Sequence, residues 1–225
     1  VHSRRVASDA SELAEDIGCS ESEMHMARIA GLLHDVGRFE QYQRFGTFQD
    51  GNSIDHGKLG LSILQRHKAL EECGPKERAC IETAVCLHNL KEIPTGIKAD
   101  RLLHLKLVRD ADKLDICDSL YKMWKRGEFR KNPALTLSAD PEGPVTPDAL
   151  DELSKGLVIS HENIRSLNDF FLTQLSWMRD LNFPPTFRRV MRRGLIRNIA
   201  EVLPRDERIR KVVNEVEEWV TARQD

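Results

Sequence analysis

The sequence contains no CxxC pair and no apolar run long enough to cross a bilayer. Its few cysteines are an odd number, which fits neither a secreted disulfide scaffold nor a zinc ribbon: Cys19, Cys73, Cys80, Cys86 and Cys117. A bilayer-spanning helix needs about 18 consecutive apolar residues, and no stretch approaches that length. The opening residues, VHSRRVASD, also lack the apolar core of a signal peptide. We therefore expect a cytoplasmic protein with no membrane partner.

An excess of charge of one sign is also missing. The 34 Lys+Arg residues nearly balance the 36 Asp+Glu residues, so the formal net charge is only -2 and no overall field favours DNA or a membrane. The most basic stretch, residues 188–211, is followed by Glu215, Glu217 and Glu218, which can pair with it. We interpret this stretch as a solvated face, so a nucleic-acid partner is not expected.

The apolar residues recur at helical spacing along almost the whole chain, and clean alternation is hard to find. With 40% strictly apolar residues, the composition is that of a folded globular protein. The pattern predicts an all-α protein, with a loop at 39–52, where glycines interrupt an aperiodic segment. The predicted helices are one ending near residue 18, then 20–35, 53–67, 75 to before 94, 100–124, 148–158, 161–182, 186–202 and 206–222.

Several predicted helices carry a polar side chain on the face that is otherwise apolar. These residues are His2, His34, His56, His88 and Asp112. A single buried histidine is usually a hydrogen-bonded core residue, but five inward polar groups indicate a shared partner. Asp35 and Asp112 in particular need one, because an unpaired buried carboxylate costs several kcal/mol. A cation shared with neutral imidazoles satisfies all of these groups at once.

The adjacent pair His34-Asp35 is the most informative dipeptide. Neighbours on a helix lie about 100° apart, so the two side chains can straddle a metal in the groove between helices. Gly31, one turn earlier, allows another backbone to approach closely. We predict that Gly37 ends this helix, so that Asp35 stands at its carboxyl end, where the macrodipole favours a cation.

His2 in VHSRRVA, the pair His34-Asp35 in GLLHDVGR and Asp112 in VRDADKLD follow one another in the order H…HD…D. In this order and context the sequence resembles the HD-domain metal-dependent phosphohydrolases. Asp110 competes with Asp112 within RDAD, but the helical spacing puts Asp112 on the apolar face, and the family's AD dipeptide agrees with it. The resemblance implies an HD-domain helical bundle with additional C-terminal helices.

Two further histidines, His56 in DHGKLG and His88 in CLHNL, match the extra histidines of the family's two-metal members. The resemblance therefore implies two divalent transition metals per chain, and imidazole and carboxylate ligands suit Mn, Fe, Co, Ni or Zn. The implied ligands of the first metal are His2, His34, Asp35 and Asp112. The implied ligands of the second metal are His56, His88 and the bridging oxygen of Asp35.

The resemblance covers about residues 1–125 and suggests a division of the chain. We assign 1–126 to an HD metal-binding catalytic domain. Residues 127–148 contain four of the nine prolines and are predicted to form a linker or lid. Residues 149–225 then form a C-terminal helical extension that packs on the HD core.

The implied activity follows from a pair of metal ions. Two divalent metals ~4 Å apart can hold a hydroxide at neutral pH and neutralise a phosphoryl group during in-line attack. The expected function is therefore hydrolysis of a phosphoester bond in a nucleotide or another small phosphorylated metabolite. Two alternatives remain open: a diiron oxygenase of the same ligand order acting on a small substrate, and a non-catalytic ligand-sensing module.

Positive side chains next to the ligands are the candidates for holding phosphate. Arg38 lies one turn past His34, and three other cations are near ligands in the sequence: Arg5, Lys91 and Lys113. Arg38 and Lys113, with Asp35, are the predicted catalytic residues, and Arg38 leads because HDVGR puts it at the helix end. The alternative for each cation is a solvated surface charge.

Two further groups of residues are interpreted first as structural. An aromatic group precedes His56 and is expected to pack under the loop or, alternatively, to stack on a nucleobase: Phe39, Tyr42, Phe45 and Phe48. The remaining histidines fall among charged positions and are expected at the surface: His25, His67, His104 and His161.

Overall fold

The computed structural model describes residues 1–129 and 139–225. These residues form helices and no strand, apart from an isolated bridge between Asp140 and Ser166. The prediction of an all-α protein is therefore confirmed. Among the same residues, none of the helices combines the length and the apolar character needed to span a membrane.

The first of two compact units comprises Val1–Asp112. Apart from the helix at Val36–Phe45, its helices begin and end close to the predicted positions, because the caps were readable in the sequence. The Ser20 hydroxyl accepts from Glu23 N, and the Glu23 carboxylate accepts from Ser20 N in return. The helices are α1 His2–Asp16, α2 Glu21–Leu33, α3 Val36–Phe45, α4 His56–Arg66, α5 Pro75–Leu87 and α6 Ala99–Lys125, which continues beyond this unit.

The second unit comprises Lys113–Asp225. The predicted helix 186–202 is two helices, because Gly194 adopts a left-handed φ of 62° between them. Of the predicted linker or lid at 127–148, residues 130–138 lie outside the described residues. Besides the rest of α6, the helices are α7 Pro147–Ser154, α8 Leu167–Trp177, α9 Pro184–Arg192, α10 Leu195–Val202 and α11 Glu207–Thr221.

The predicted loop at 39–52 is wrong over its first half, where α3 occupies Val36–Phe45. This helix inverts the usual pattern: Gln41 is fully buried, whereas Phe39 is 79% exposed and Tyr42 is 47% exposed. Apolar periodicity therefore could not reveal the helix. It ends at Gly46, whose φ of 65° is readily adopted only by glycine.

Small residues bring the ligand-bearing helices together. A Cβ atom added to Gly31 would lie 3.0 Å from Ala7 Cα, which confirms that this glycine admits another backbone, that of α1. A buried apolar core joins α2, α4, α5 and α6, and it includes Ala30, Leu64, Ile81 and Val108. Burying the side chains of Leu64, Ile81 and Val108 contributes roughly 1.5–3 kcal/mol each, which fixes the helices that carry the polar residues.

Gly37 has a different role from the one predicted. It lies within the first turn of α3 and ends no helix, since α2 already ends at Leu33. A Cβ atom on Gly37 would lie only 2.1 Å from the His56 carbonyl oxygen and 2.8 Å from Gly60 N. The missing side chain thus allows α4 to pack directly against α3, and this contact brings His56 toward Asp35.

Candidate metal centre

Within the first unit, the six predicted ligands come together in one group, which we refer to as the cluster. Three of them stand at helix ends: His2 and His56 begin α1 and α4, and His88 directly follows α5. His34 and Asp35 occupy the junction between α2 and α3, and the sixth ligand, Asp112, lies in α6. Three of the histidines are almost completely buried: His34, His56 and His88.

One half of the cluster is formed by His2, His34 and Asp112. The His2 and His34 Nε2 atoms are 3.2 Å apart. Asp112 Oδ1 lies 3.1 Å from His2 Nε2 and 3.5 Å from His34 Nε2. Asp35 presents its Oδ2 atom to this half, at 3.7 Å from His2 Nε2 and 3.6 Å from His34 Nε2. We refer to His2, His34, Asp112 and Asp35 Oδ2 as the first subsite.

The other half is formed by His56 and His88, whose Nε2 atoms are 3.0 Å apart. Asp35 turns its second oxygen, Oδ1, toward this pair, at 3.4 Å from His56 Nε2 and 3.7 Å from His88 Nε2. We refer to His56, His88 and Asp35 Oδ1 as the second subsite. The two oxygens of one carboxylate therefore face two different pairs of histidines.

The backbone dictates which nitrogen of the buried histidines faces the cluster. His34 Nδ1 lies 2.7 Å from Gly31 O, and His88 Nδ1 lies 2.9 Å from Val85 O. A carbonyl oxygen only accepts, so each Nδ1 atom carries the proton and donates it. In the neutral imidazole the Nε2 atom then has its lone pair directed into the cluster, as a metal ligand requires.

The carboxylates of the cluster are held in their ionised form. Burial opposes ionisation of Asp112, but hydrogen bonds from His2 and His34 outweigh it and hold the pKa well below its ordinary value. Burial likewise opposes ionisation of Asp35, yet the neighbouring His88 and His34 imidazoles lower its pKa strongly. Both aspartates are therefore anionic at neutral pH.

The histidines respond to their surroundings in opposite directions. Burial lowers the pKa of His88, and the nearby Asp35 only partly offsets it, so this imidazole is neutral at physiological pH. Burial also disfavours the charged form of His34, but hydrogen bonding and the charge of Asp112 raise its pKa overall. A cation that binds at His34 therefore competes with a proton.

The donor set fits a divalent transition metal. Asp112 Oδ1 is buried between two imidazoles, at 3.1 Å from His2 Nε2 and 3.5 Å from His34 Nε2, so a cation placed there would have ligands on several sides. Lone pairs on the His56 and His88 Nε2 atoms would repel each other at 3.0 Å unless a cation or a proton lies between them. Imidazole nitrogens and carboxylate oxygens in this ratio suit Mn, Fe, Co, Ni or Zn.

Sequence reasoning missed a set of polar residues behind the second subsite. Asp50 accepts a hydrogen bond of 2.7 Å from His56 Nδ1, and Gln41 and Asn89 each donate to Asp50. The hydrogen bond from His56 and the charge of Arg38 overcome partial burial and lower the pKa of Asp50 strongly. The only available signal was a lone aspartate in an aperiodic segment, which is typical of many surface loops.

A buried arginine was missed as well. Arg109 in α6 donates from Nη1 to the carbonyl oxygens of His88 and Leu90, and its Nη2 atom lies 3.4 Å from Lys91 O. A guanidinium at a helix C-terminus satisfies carbonyls that have no partner within the helix. Arg109 thereby fixes the chain that follows α5 and, with it, the position of His88.

The predicted phosphate contacts have different surroundings. Arg38 lies beside the cluster, with Nε 3.4 Å from Asp35 Oδ1 and with Nη1 donating to Phe48 O at 2.5 Å. Arg5 and Lys91 are exposed residues of the first unit. Lys113 belongs to the second unit, where its ammonium donates to Asp180 Oδ2 at 2.6 Å. The roles of these four cations in substrate binding stay predictions.

Of the four histidines expected at the surface, three are exposed and one is buried. His25, His67 and His161 are exposed. The expectation was wrong for His104, which is 1% exposed. Its Nδ1 atom donates to Asp100 O at 2.7 Å, one turn earlier in α6, so a local backbone acceptor allows the ring to be buried.

Comparison with known families identifies the class of protein. The model of the HD domain matches residues 1–117, just over half of the chain, and this range contains all six residues of the cluster. The chain therefore belongs to the HD-domain family. Searches of curated proteins and of solved structures find no match.

Proposed function

We propose that this chain is a metal-dependent phosphohydrolase that cleaves a phosphoester bond in a nucleotide or another small phosphorylated metabolite. One observation carries the proposal: Asp35 directs one carboxylate oxygen toward His2 and His34, and the other toward His56 and His88. This arrangement supports two metal subsites that share a ligand. Membership of the HD family, whose members are mostly hydrolases, supports the reaction class.

The protein's own residues contribute to this chemistry by positioning the side chains that would hold the metals. When bound, two divalent cations activate a water molecule and neutralise charge on the phosphoryl oxygens. Asp35 holds the two subsites at a fixed separation, because both of its oxygens belong to one planar carboxylate. The backbone carbonyls of Gly31 and Val85 orient His34 and His88 so that their Nε2 atoms face the cluster.

Arg38 is the best candidate for a phosphate contact. Its side chain is 29% exposed, and its Nε atom lies 3.4 Å from Asp35 Oδ1, so the positively charged guanidinium lies at the edge of the cluster. The exposed rings of Phe39, Tyr42 and Phe45 lie on the same helix, and Tyr42 stacks on Phe48 at 4.7 Å. We propose that these rings offer a surface for a nucleobase, which favours a nucleotide substrate.

Replacing Arg38 by alanine should raise KM or lower turnover at saturating metal without reducing metal content. A lost charge-assisted contact to phosphate is worth roughly 1.5–3 kcal/mol, which corresponds to about ten- to a hundredfold. Arg44→Ala is the matched control, since Arg44 lies on the same helix, is 51% exposed and pairs with Glu40. Equal kinetic effects of the two substitutions would argue against a phosphate contact at Arg38.

The reaction class is tested by assaying the manganese-loaded protein, under anaerobic conditions, against a panel of nucleotides and phosphomonoesters. We expect release of phosphate or of a nucleoside from at least one compound. Product that appears only with iron and O₂ would assign the protein to the diiron oxygenases instead. Inactivity under both conditions would favour the non-catalytic sensing module.

We also propose a cytoplasmic location for this activity. Cys19, Cys73 and Cys86 are partly exposed and carry thiols rather than disulfides. Such thiols persist most readily in a reducing compartment.

A further inference from the structure

Asp50 accepts hydrogen bonds from three parts of the chain that surround the cluster. It accepts from His56 at the start of α4, from Gln41 in α3 and from Asn89 just after α5. Arg38 of α3 adds an ion pair at 3.4 Å. Within residues 1–129 and 139–225, His56 is the predicted ligand that Asp50 contacts directly, so this carboxylate faces one half of the centre through His56.

His56 differs from the other buried histidines in the group that receives its Nδ1 proton. His34 and His88 donate to neutral backbone carbonyls, whereas His56 donates to a carboxylate, at 2.7 Å from Oδ2 and 2.9 Å from Oδ1. A charged acceptor fixes the tautomer, orients the ring and makes the opposite nitrogen a stronger electron donor. The opposite nitrogen is Nε2, which lies 3.0 Å from His88 Nε2 in the second subsite.

The residues around Asp50 hold it in the orientation that this contact needs. The amide of the fully buried Gln41 donates to Asp50 Oδ1 at 2.8 Å and also contacts Ser53 Oγ and Ile54 O at 2.9 Å. Asn89 Nδ2 lies 3.0 Å from Asp50 Oδ2 and 2.9 Å from Asp55 Oδ1. The chain from Asp50 to Asp55 is thus tied to α3 and to the end of α5.

We propose that Asp50 is a positioning residue that selectively sets the metal affinity of the second subsite. This inference rests on the two-subsite centre of the proposed function. Because Asp50 acts through His56, it strengthens binding where His56 and His88 are the ligands. The first subsite shares only Asp35 with the second; its other ligands, His2, His34 and Asp112, have no contact through His56, so its affinity should depend little on Asp50.

The test is stepwise titration of the metal-free full chain with Mn²⁺, following bound metal by calorimetry and by electron paramagnetic resonance. Asp50→Asn keeps the size of the side chain and removes its charge. We expect it to weaken the second binding step by about 10- to 100-fold and to change the first step less than about twofold. Because the charge of Asp50 also pairs with Arg38, the thermal midpoint of the metal-free variant is expected to fall, and circular dichroism should show that it is folded at the titration temperature.

Asp55→Asn is the matched control. Asp55 also accepts from Asn89, but it caps α4 through Gly57 N and Lys58 N, a role that asparagine performs equally well. Both binding steps should therefore be unchanged in this variant. The proton attached to His56 Nδ1 gives a second readout: its downfield NMR resonance should move upfield in Asp50→Asn and stay in place in Asp55→Asn.

The possible failures are distinguishable. Two wild-type binding steps with an unchanged second step in Asp50→Asn would overturn the role of Asp50 and leave the proposed function intact. Equal weakening of both steps would also overturn it, since it would show a general structural role. A wild-type chain that binds a single metal ion would overturn this inference together with the two-subsite centre.

Discussion

Replacing Asp35 by alanine is expected to empty the whole centre, reducing bound metal from more than one ion per chain to nearly none. Each oxygen of Asp35 faces a different pair of histidines, so one substitution removes a ligand from both subsites. Loss of activity should follow the loss of metal. Metal content is measured by elemental mass spectrometry after gel filtration, and Asp16→Asn, at an exposed position in α1, is the control with unchanged content.

Histidine variants of the second subsite make this prediction specific. His56→Ala and His88→Ala should each lower the occupancy toward one metal ion per chain, because the first subsite keeps His2, His34 and Asp112. Equal loss of metal from these variants and from Asp35→Ala would argue against a bridging role for Asp35. That result would leave a centre with a single metal.

Replacing Gly37 by alanine should destabilise the fold by about 3 kcal/mol, at the upper end of what overpacking usually costs. The added Cβ atom would lie 2.1 Å from the His56 carbonyl oxygen, a backbone atom that cannot move without displacing α4. For a chain of this size we expect a fall of roughly 6–12 °C in the thermal midpoint, measured by circular dichroism. Metal binding at the second subsite should weaken as well, because His56 begins α4.

Gly51→Ala is the matched control for Gly37→Ala. An added Cβ atom on Gly51 meets no atom of the described residues within 4 Å. Its thermal midpoint should therefore remain within about 2 °C of the wild type or rise slightly, as glycine-to-alanine changes do at unstrained sites. A Gly37→Ala protein that is as stable as Gly51→Ala would contradict the close packing of α3 on α4.

Most of the helices could be predicted from the sequence, because apolar spacing and capping residues are local signals. The capping pair Ser20 and Glu23 marks the start of α2, and Pro75 marks the start of α5. The helix α3 was not predicted, because the polar residue Gln41 is buried while the apolar residue Phe39 is exposed. Its place is determined by tertiary hydrogen bonds to the chain that follows it, and no local pattern encodes those bonds.

The candidate ligands could also be predicted, because five of them are polar residues on apolar faces, Asp35 adjoins His34, and together they follow the family's order. Residues that support the ligands could not. Asp50 lies in an aperiodic segment, and its partner Asn89 is 39 positions away in the sequence. Arg109 holds carbonyl groups that lie about twenty positions earlier. Such partners become visible only when the chain is folded.

The count of metal ions bound per wild-type chain tests the central claim most directly. The protein is purified without chelator, loaded with Mn²⁺ or Fe²⁺, separated from free metal and measured by elemental mass spectrometry against protein concentration. Four histidines and two aspartates in one cluster predict more than one ion per chain, approaching about two at saturation. A protein that holds no metal after loading would contradict the account.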